Sequence, residues 1–276
     1  MTSALPWRLI GWVNPSSPAK NKWNRLAEAA LATPYYSQAP YAGLLRQGSE
    51  AALRQVPTIE LAEFYARFRE FENPGGEAAQ AQPIGSVWKG SARTVAISPW
   101  FHLEPEVEIV TECTAPEVRE AECLASSVDV LRELAALVLD RRLVPGKLRY
   151  GVIAFIGVGR PLMNARDRDR FWRAFQAPVF EQFRGFHGEL LAWECERHHG
   201  LHVEPESASF ERQEDELVMT SMGNLRYPVL RLTTGIAGVI EENGCGCGST
   251  TPRLSRLRLV GNRPDAMMAV GKRVIT

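Results

Sequence analysis

A chain of 276 residues, 45% of them hydrophobic, is long enough for one large domain or two small ones and has the apolar content of an ordinary globular core. Its 32 basic and 32 acidic residues cancel, which leaves no whole-protein field to draw nucleic acid or an anionic membrane surface. Five cysteines in a chain of this length do not make a small disulfide scaffold, and neither a signal-peptide pattern nor the roughly 20 apolar residues of a membrane span is found, so the expected location is cytoplasmic.

In chain order, Asn21 to Thr33 places Trp23, Leu26, Ala30 and Leu31 at helical spacing, and Pro34 ends the pattern. A short helical patch follows at Tyr41 to Gln47. A third helix is marked by Thr58 as N-cap, by Glu60 and Glu63 near the positive end of the helix dipole, and by a stripe of Leu61, Phe64, Tyr65 and Phe68. Asn73-Pro74-Gly75-Gly76 and the polar stretch to Gln82 read as a linker. Beyond it, Ser86 to Lys89, Arg93 to Ser98 and Glu106 to Thr111 read as short strands.

Ser127 is expected to cap a helix running to Leu139. Tyr150 to Val158 is a nearly continuous apolar run, the pattern of a strand covered on both faces, and Asn164 caps a further helix carrying Phe171, Trp172 and Phe175. Helix, buried strand, helix predicts an α/β layer with a parallel sheet. From Glu189 onward helical periodicity gives way to short candidate strands at 190–194, 201–204, 216–219, 229–232, 237–241 and 254–260, a β-rich unit.

That unit holds three of the five cysteines and three of the five histidines. Cys195 is followed by His198, His199 and His202, and much later comes Gly244-Cys245-Gly246-Cys247-Gly248. Thiolates and imidazoles suit zinc, and a Cys-Gly-Cys turn can aim two sulfurs at one centre. The competing reading is a buried structural Cys195 with a Cys-Gly-Cys hairpin turn. Among other features, Arg166-Asp167-Arg168-Asp169-Arg170 reads as a solvated, ion-paired face, Gly157-Val158-Gly159-Arg160 is a weak anion-loop signal, and His187 reads as a loop histidine ahead of a catalytic one.

The order of Glu216-Leu217-Val218-Met219-Thr220-Ser221, Pro228-Val229-Leu230-Arg231-Leu232-Thr233-Thr234, the Cys-Gly-Cys turn and Gly261-Asn262-Arg263-Pro264-Asp265 resembles the later part of the phenylacetate-CoA ligase family, AMP-forming members of the adenylate-forming superfamily. Pro34-Tyr35-Tyr36, Leu53 to Thr58, and Trp193 to Glu196 with Gly200 to Val203 add to the likeness, whereas Ile84 to Leu143 matches poorly. The resemblance implies a shortened ligase-like N-terminal domain: a helical region at 1–73, an α/β core at 83–188, a zinc-stapled β-rich unit at 189–260, and a hinge-like tail at 261–276 with the family's C-terminal lid domain absent. It also implies Cys195, Cys245 and Cys247 as three zinc ligands, completed by His202 or His198, and Arg231 and Arg263 as remnants of a nucleotide site.

The departures count against ligase activity. The phosphate-binding loop is missing, with Asn14 to Pro18 its nearest approach, and Ile236 stands where the family's ribose-binding carboxylate is expected. Glu189 aligns poorly with the family's magnesium-associated glutamate. These losses imply a degenerate ligase relative that binds an acyl or aryl carboxylate ligand or a partner protein, with ATP and magnesium disfavoured. The alternatives are an AMP-forming ligase completed by a separate C-terminal domain and, from another class, a zinc hydrolase with Glu194 or Glu196 as base.

Overall fold

The computed structural model describes residues 19–76, 82, 84 and 92–260. The expected strand at Ser86 to Lys89, residues 77–81 of the linker, the Asn14 to Pro18 segment and the 261–276 tail with Arg263 lie outside the described residues.

The described residues form an α/β fold built on one mixed sheet. Its strands are β1 (Thr94–Ile97), β2 (Glu108–Val110), β3 (Cys123–Ser127), β4 (Gly151–Gly157), β5 (Val179–Arg184), β6 (Leu190–Glu194), β7 (Leu201–Val203), β8 (Ala208–Gln213), β9 (Glu216–Ser221), β10 (Val229–Glu241) and β11 (Arg253–Leu259). They lie in the order β2-β1-β3-β4-β5-β6-β7-β11-β10-β9-β8. The five strands from β2 to β5 run parallel, and every pairing from β5–β6 onward is antiparallel. The sheet therefore turns from parallel to antiparallel pairing at β5, and it stays continuous through that change.

The parallel part behaves as the apolar run predicts. Every residue of β4 is buried, with Val152, Ala154 and Ile156 in one core and Ile153 and Phe155 in another. The first core is covered by α5 (Val128–Leu139) and α6 (Ala165–Phe175) through residues such as Leu131, Leu134 and Phe171. The second is covered by the β1–β2 connection, whose Trp100, Phe101 and Leu103 belong to that core, the two rings packing on Phe155. Asn164 closes a capping box with Asp167, which fixes the start of α6. Ser127 occupies the N-cap position of α5 without a side-chain capping bond.

The charge run at the start of α6 departs from the solvated face expected. Asp167 is buried and takes two hydrogen bonds from Arg132 on α5, at 2.6 and 2.8 Å, tying the two helices together. Arg168 reaches Glu181 on β5 and Glu194 on β6. Only the neighbours Arg166 and Asp169 face solvent.

The N-terminal helices are α1 (Ala19–Leu31), α2 (Tyr41–Leu45), α3 (Glu50–Leu53) and α4 (Leu61–Ala66). The last starts three residues after Thr58, because Ile59 bridges to Leu232 and holds the intervening backbone extended beside β10. In the β-rich part, the two candidate strands at 229–232 and 237–241 are one 13-residue strand bent by register shifts, with Arg231 and Gly235 at positive φ. None of the helices among the described residues is long and apolar enough to cross a membrane.

Candidate metal centre

Cys195 follows the last residue of β6, His202 is the middle residue of β7, and Cys245 and Cys247 lie in the β10–β11 connection. The sheet order brings these pieces together, since β7 pairs with both β6 and β11, and His202 is the register partner of Trp193 and Arg253. The β6–β7 turn is closed by the His198 N–H on the Cys195 carbonyl, at 3.0 Å. Gly200, at φ +98°, passes so close to the Leu254 carbonyl that a Cβ would lie 2.6 Å from its oxygen. The second turn is held by the Cys245 N–H on the Ser249 carbonyl and the Gly248 N–H on the Cys245 carbonyl.

One donor atom from each of Cys195, His202, Cys245 and Cys247 lies within 4.8 Å of the others. Cys195 Sγ stands 3.8 Å from Cys245 Sγ, and Cys247 Sγ stands 3.4 Å from His202 Nε2. Zinc bonded to sulfur at 2.3 Å and to nitrogen at 2.0 to 2.1 Å in a tetrahedron has edges of about 3.8 Å between sulfurs and about 3.5 Å between sulfur and nitrogen. These two separations match those edges, so the donor set fits zinc in chemistry and, along these two edges, in size. Three thiolates and one imidazole leave no open position, the pattern of a structural site. The zinc-hydrolase alternative also loses its bases: Glu194 is buried in bonds to Arg168 and the Glu181 backbone, and Glu196 faces solvent.

The surroundings favour the ligand forms that a metal needs at two of the four positions. Burial lowers the His202 pKa and the nearby positive charge of Arg253 lowers it further, so the ring is neutral with an electron pair to give. Thr251 Oγ1 is 3.4 Å from His202 Nδ1, placed to hold the proton on that nitrogen and leave Nε2 toward the cluster. For Cys245, burial pushes the thiol up but is outweighed by the Cys247 backbone, the two sulfur neighbours and Arg253, so its pKa is lowered. Cys195 runs the other way: burial pushes its thiol up to about 12 without metal, and a cation is what would make it a thiolate.

His198, the other histidine considered for the fourth position, does not join the cluster. Its φ of +52° turns it away, and its ring packs on Phe180 with Nδ1 3.0 Å from Glu194. Arg231 carries an ion pair with Glu211 and donates to the Val56 carbonyl. Ile236 is 1% exposed, packed in the apolar core. Sequence reasoning missed Arg253, which opens β11 in the run Arg-Leu-Ser-Arg-Leu-Arg-Leu. That alternation reads as a basic solvent face, and nothing local sets its first residue apart.

A second polar feature lies at the β5–β6 turn. His187 stacks on Tyr227 at 4.3 Å between ring centroids, with Phe68 stacked against both. His187 and Tyr227 line a recess shared with Phe64, Phe186, Glu189, Met219, Ser221 and Val229, with room of about 10 Å³. His187 Nε2 and Ser221 Oγ are buried and have no hydrogen-bond partner among the described residues. Burial lowers the His187 pKa, so its ring is neutral.

No protein-family model and no curated protein matches the sequence. The fold has solved counterparts among adenylate-forming ligases. It matches 2-hydroxyisobutyryl-CoA ligase in complex with 2-HIB-AMP and CoA in the thioesterification state with a TM-score of 0.64 at 15% identity, covering 90% of this chain and 69% of the ligase. The same ligase in the postadenylation state with R3-HIB-AMP gives 0.62 at 14% identity, over 85% of this chain and 65% of the ligase. An open conformation gives 0.60 at 14%, over 85% and 67%. At such identities the likeness is one of fold, and this chain spans about two thirds of the ligase's length.

Proposed function

We propose that the chain is a degenerate relative of the phenylacetate-CoA ligases: a zinc-stapled protein that binds an acyl or aryl carboxylate or docks on a partner, without ligating by itself. The observation that carries this reading is the engagement of Arg231, the described residue that the resemblance assigns to nucleotide. Its guanidinium is held by Glu211 and the Val56 carbonyl, and its backbone sits at φ +48° to keep it there. Ile236, at the position of the ribose carboxylate, is an apolar core residue with no acceptor to offer.

Zinc supplies a tie between the β6–β7 turn and the β10–β11 turn, and its binding free energy is folding free energy for that part of the sheet. An acyl or aryl group entering the recess at the β5–β6 turn would have to part the His187–Tyr227 stack, since about 10 Å³ is the room of roughly one water. Titration calorimetry with ATP and Mg²⁺ tests the reading. No micromolar binding is expected, and micromolar binding by the chain alone overturns it.

The unpartnered His187 Nε2 and Ser221 Oγ favour one second reading, an AMP-forming ligase completed by a separate domain or partner. Buried polar groups left open are what a reacting carboxylate would meet. Under this reading, carboxylate-dependent pyrophosphate release appears on adding the partner. Its absence across a panel of aliphatic and aromatic acids, with candidate partners present, rejects it.

A further inference from the structure

Arg253 is 7% exposed and is the cross-strand neighbour of a metal ligand on one side and of an acidic residue on the other, pairing with His202 on β7 and Glu241 on β10. Its guanidinium donates from Nη1 to the His199 carbonyl at 2.7 Å, inside the turn that joins Cys195 to His202. From Nη2 it donates to Glu241 Oε2 at 2.9 Å and reaches the Asn243 carbonyl at 3.5 Å, at the entrance to the turn that carries Cys245 and Cys247. Glu241 is itself held by the Ser255 hydroxyl. One buried, planar fork thus joins the backbones of both ligand-bearing turns, and its positive charge sits between turns whose thiols become anionic when metal binds.

We propose that Arg253 is a positioning residue of the metal centre, which holds the two ligand turns at ligating separation before the metal arrives and offsets the charge of the three thiolates. The inference rests on the zinc reading above. A lysine can supply the charge but not the fork, so charge and bridging can be separated. Indirect partners of metal ligands typically change affinity 10- to 100-fold when removed.

The test is zinc affinity by chelator competition, with the melting temperature of the zinc-free protein recorded alongside. Arg253→Met is expected to weaken zinc binding by about 10- to 100-fold and Arg253→Lys by less. Arg132→Met, which breaks the half-buried Arg132–Asp167 pair between α5 and α6, is expected to lower the melting temperature while leaving zinc affinity within about twofold, as a distant independent site should. Folded Arg253→Met that holds zinc as tightly as the native chain overturns the proposal. If that variant does not fold, Glu241→Gln, which loosens the anchor of Arg253, and Arg253→Lys decide it: weaker zinc binding in either supports the role, and native affinity in both overturns it. A native chain that binds no zinc overturns the metal reading itself, an outcome distinct from a native chain and an Arg253→Met variant that bind it equally.

Discussion

All the residues of β3 and β4 are buried, whereas β8 and the outer end of β11 pass through half-buried and exposed positions. The parallel part of the sheet is covered on both faces, by α5 and α6 on one and by the aromatic β1–β2 connection on the other. In the antiparallel part, the last four residues of β10 and most of β11 are only partly covered, and there the chain places Cys195, His202, Cys245 and Cys247. Apolar burial scales with the area removed from water, so a thinly covered sheet end needs another source of cohesion. A metal tie at the Cys195/His202/Cys245/Cys247 cluster, as the zinc reading proposes, would supply that where the core runs out.

The sharpest way to separate the two parts is to damage one and read the other. Phe155→Ala removes a fully buried ring that contacts Trp100 and Phe101, and is expected to lower stability by about 3 to 5 kcal/mol. Zinc content per folded chain should stay unchanged, and its loss in parallel would break the comparison.

The reverse experiment removes the metal. Chelation or Cys245→Ser is expected to cost about 3 to 4 kcal/mol when native zinc stands at 100 to 1,000 times its Kd. Hydrogen exchange should quicken in β7, β11 and the outer half of β10 while β3 and β4 keep their protection. Equal loss in both parts would mean that the sheet unfolds as one unit, with no local role for the centre. Purified without a His tag, the native chain should carry one zinc, and a lower content unaltered by Cys245→Ser counts against the site.

The smallest effect is expected at the junction, where Glu181 on β5 meets Arg168 and Glu194. Burial, with the neighbouring Glu194 charge, pushes the Glu181 carboxyl up to about 8. The folded state therefore holds a proton that the unfolded chain, with its carboxyl near 4.5, has already released. Stability from this group is present below the unfolded value and is lost as pH rises toward 8. Glu181→Gln should flatten that slope, raising stability at pH 8 by about 1 kcal/mol, or roughly 2 to 4 °C in Tm. Parallel pH profiles for the two proteins would remove Glu181 as the source.

Several elements were legible because their signals are local. The apolar run of β4, the Asn164 cap of α6 and the stripe of α5 depend on residues within a few positions of one another, and each forms close to its expected place. The central strand β3 was not legible, since Cys-Leu-Ala-Ser-Ser has small residues and no alternation. It is a strand because β1 and β4 offer it two parallel partners. Similarly β5, with Glu181, Gln182 and Arg184 buried or half-buried in it, reads as polar until Arg168 and the β6 edge are in place. Asp167 looked solvent-facing because its partner Arg132 lies 35 residues earlier.

At the metal centre the sequence by itself determined the inventory of donors: the thiols, the nearby histidines and the glycine turn that lets two sulfurs approach one point. The tertiary structure decided which histidine joins them. His198 and His202 are both within seven residues of Cys195, but a left-handed turn sends the first onto Phe180 and β7 carries the second against β11. It also decided that Arg253 stands between the two ligand turns, because that place exists only once β7, β11 and β10 are neighbours in the sheet. Ligand chemistry belongs to single side chains and can be read along the chain, whereas the geometry of a site is set by strand order and register, which depend on contacts between distant segments.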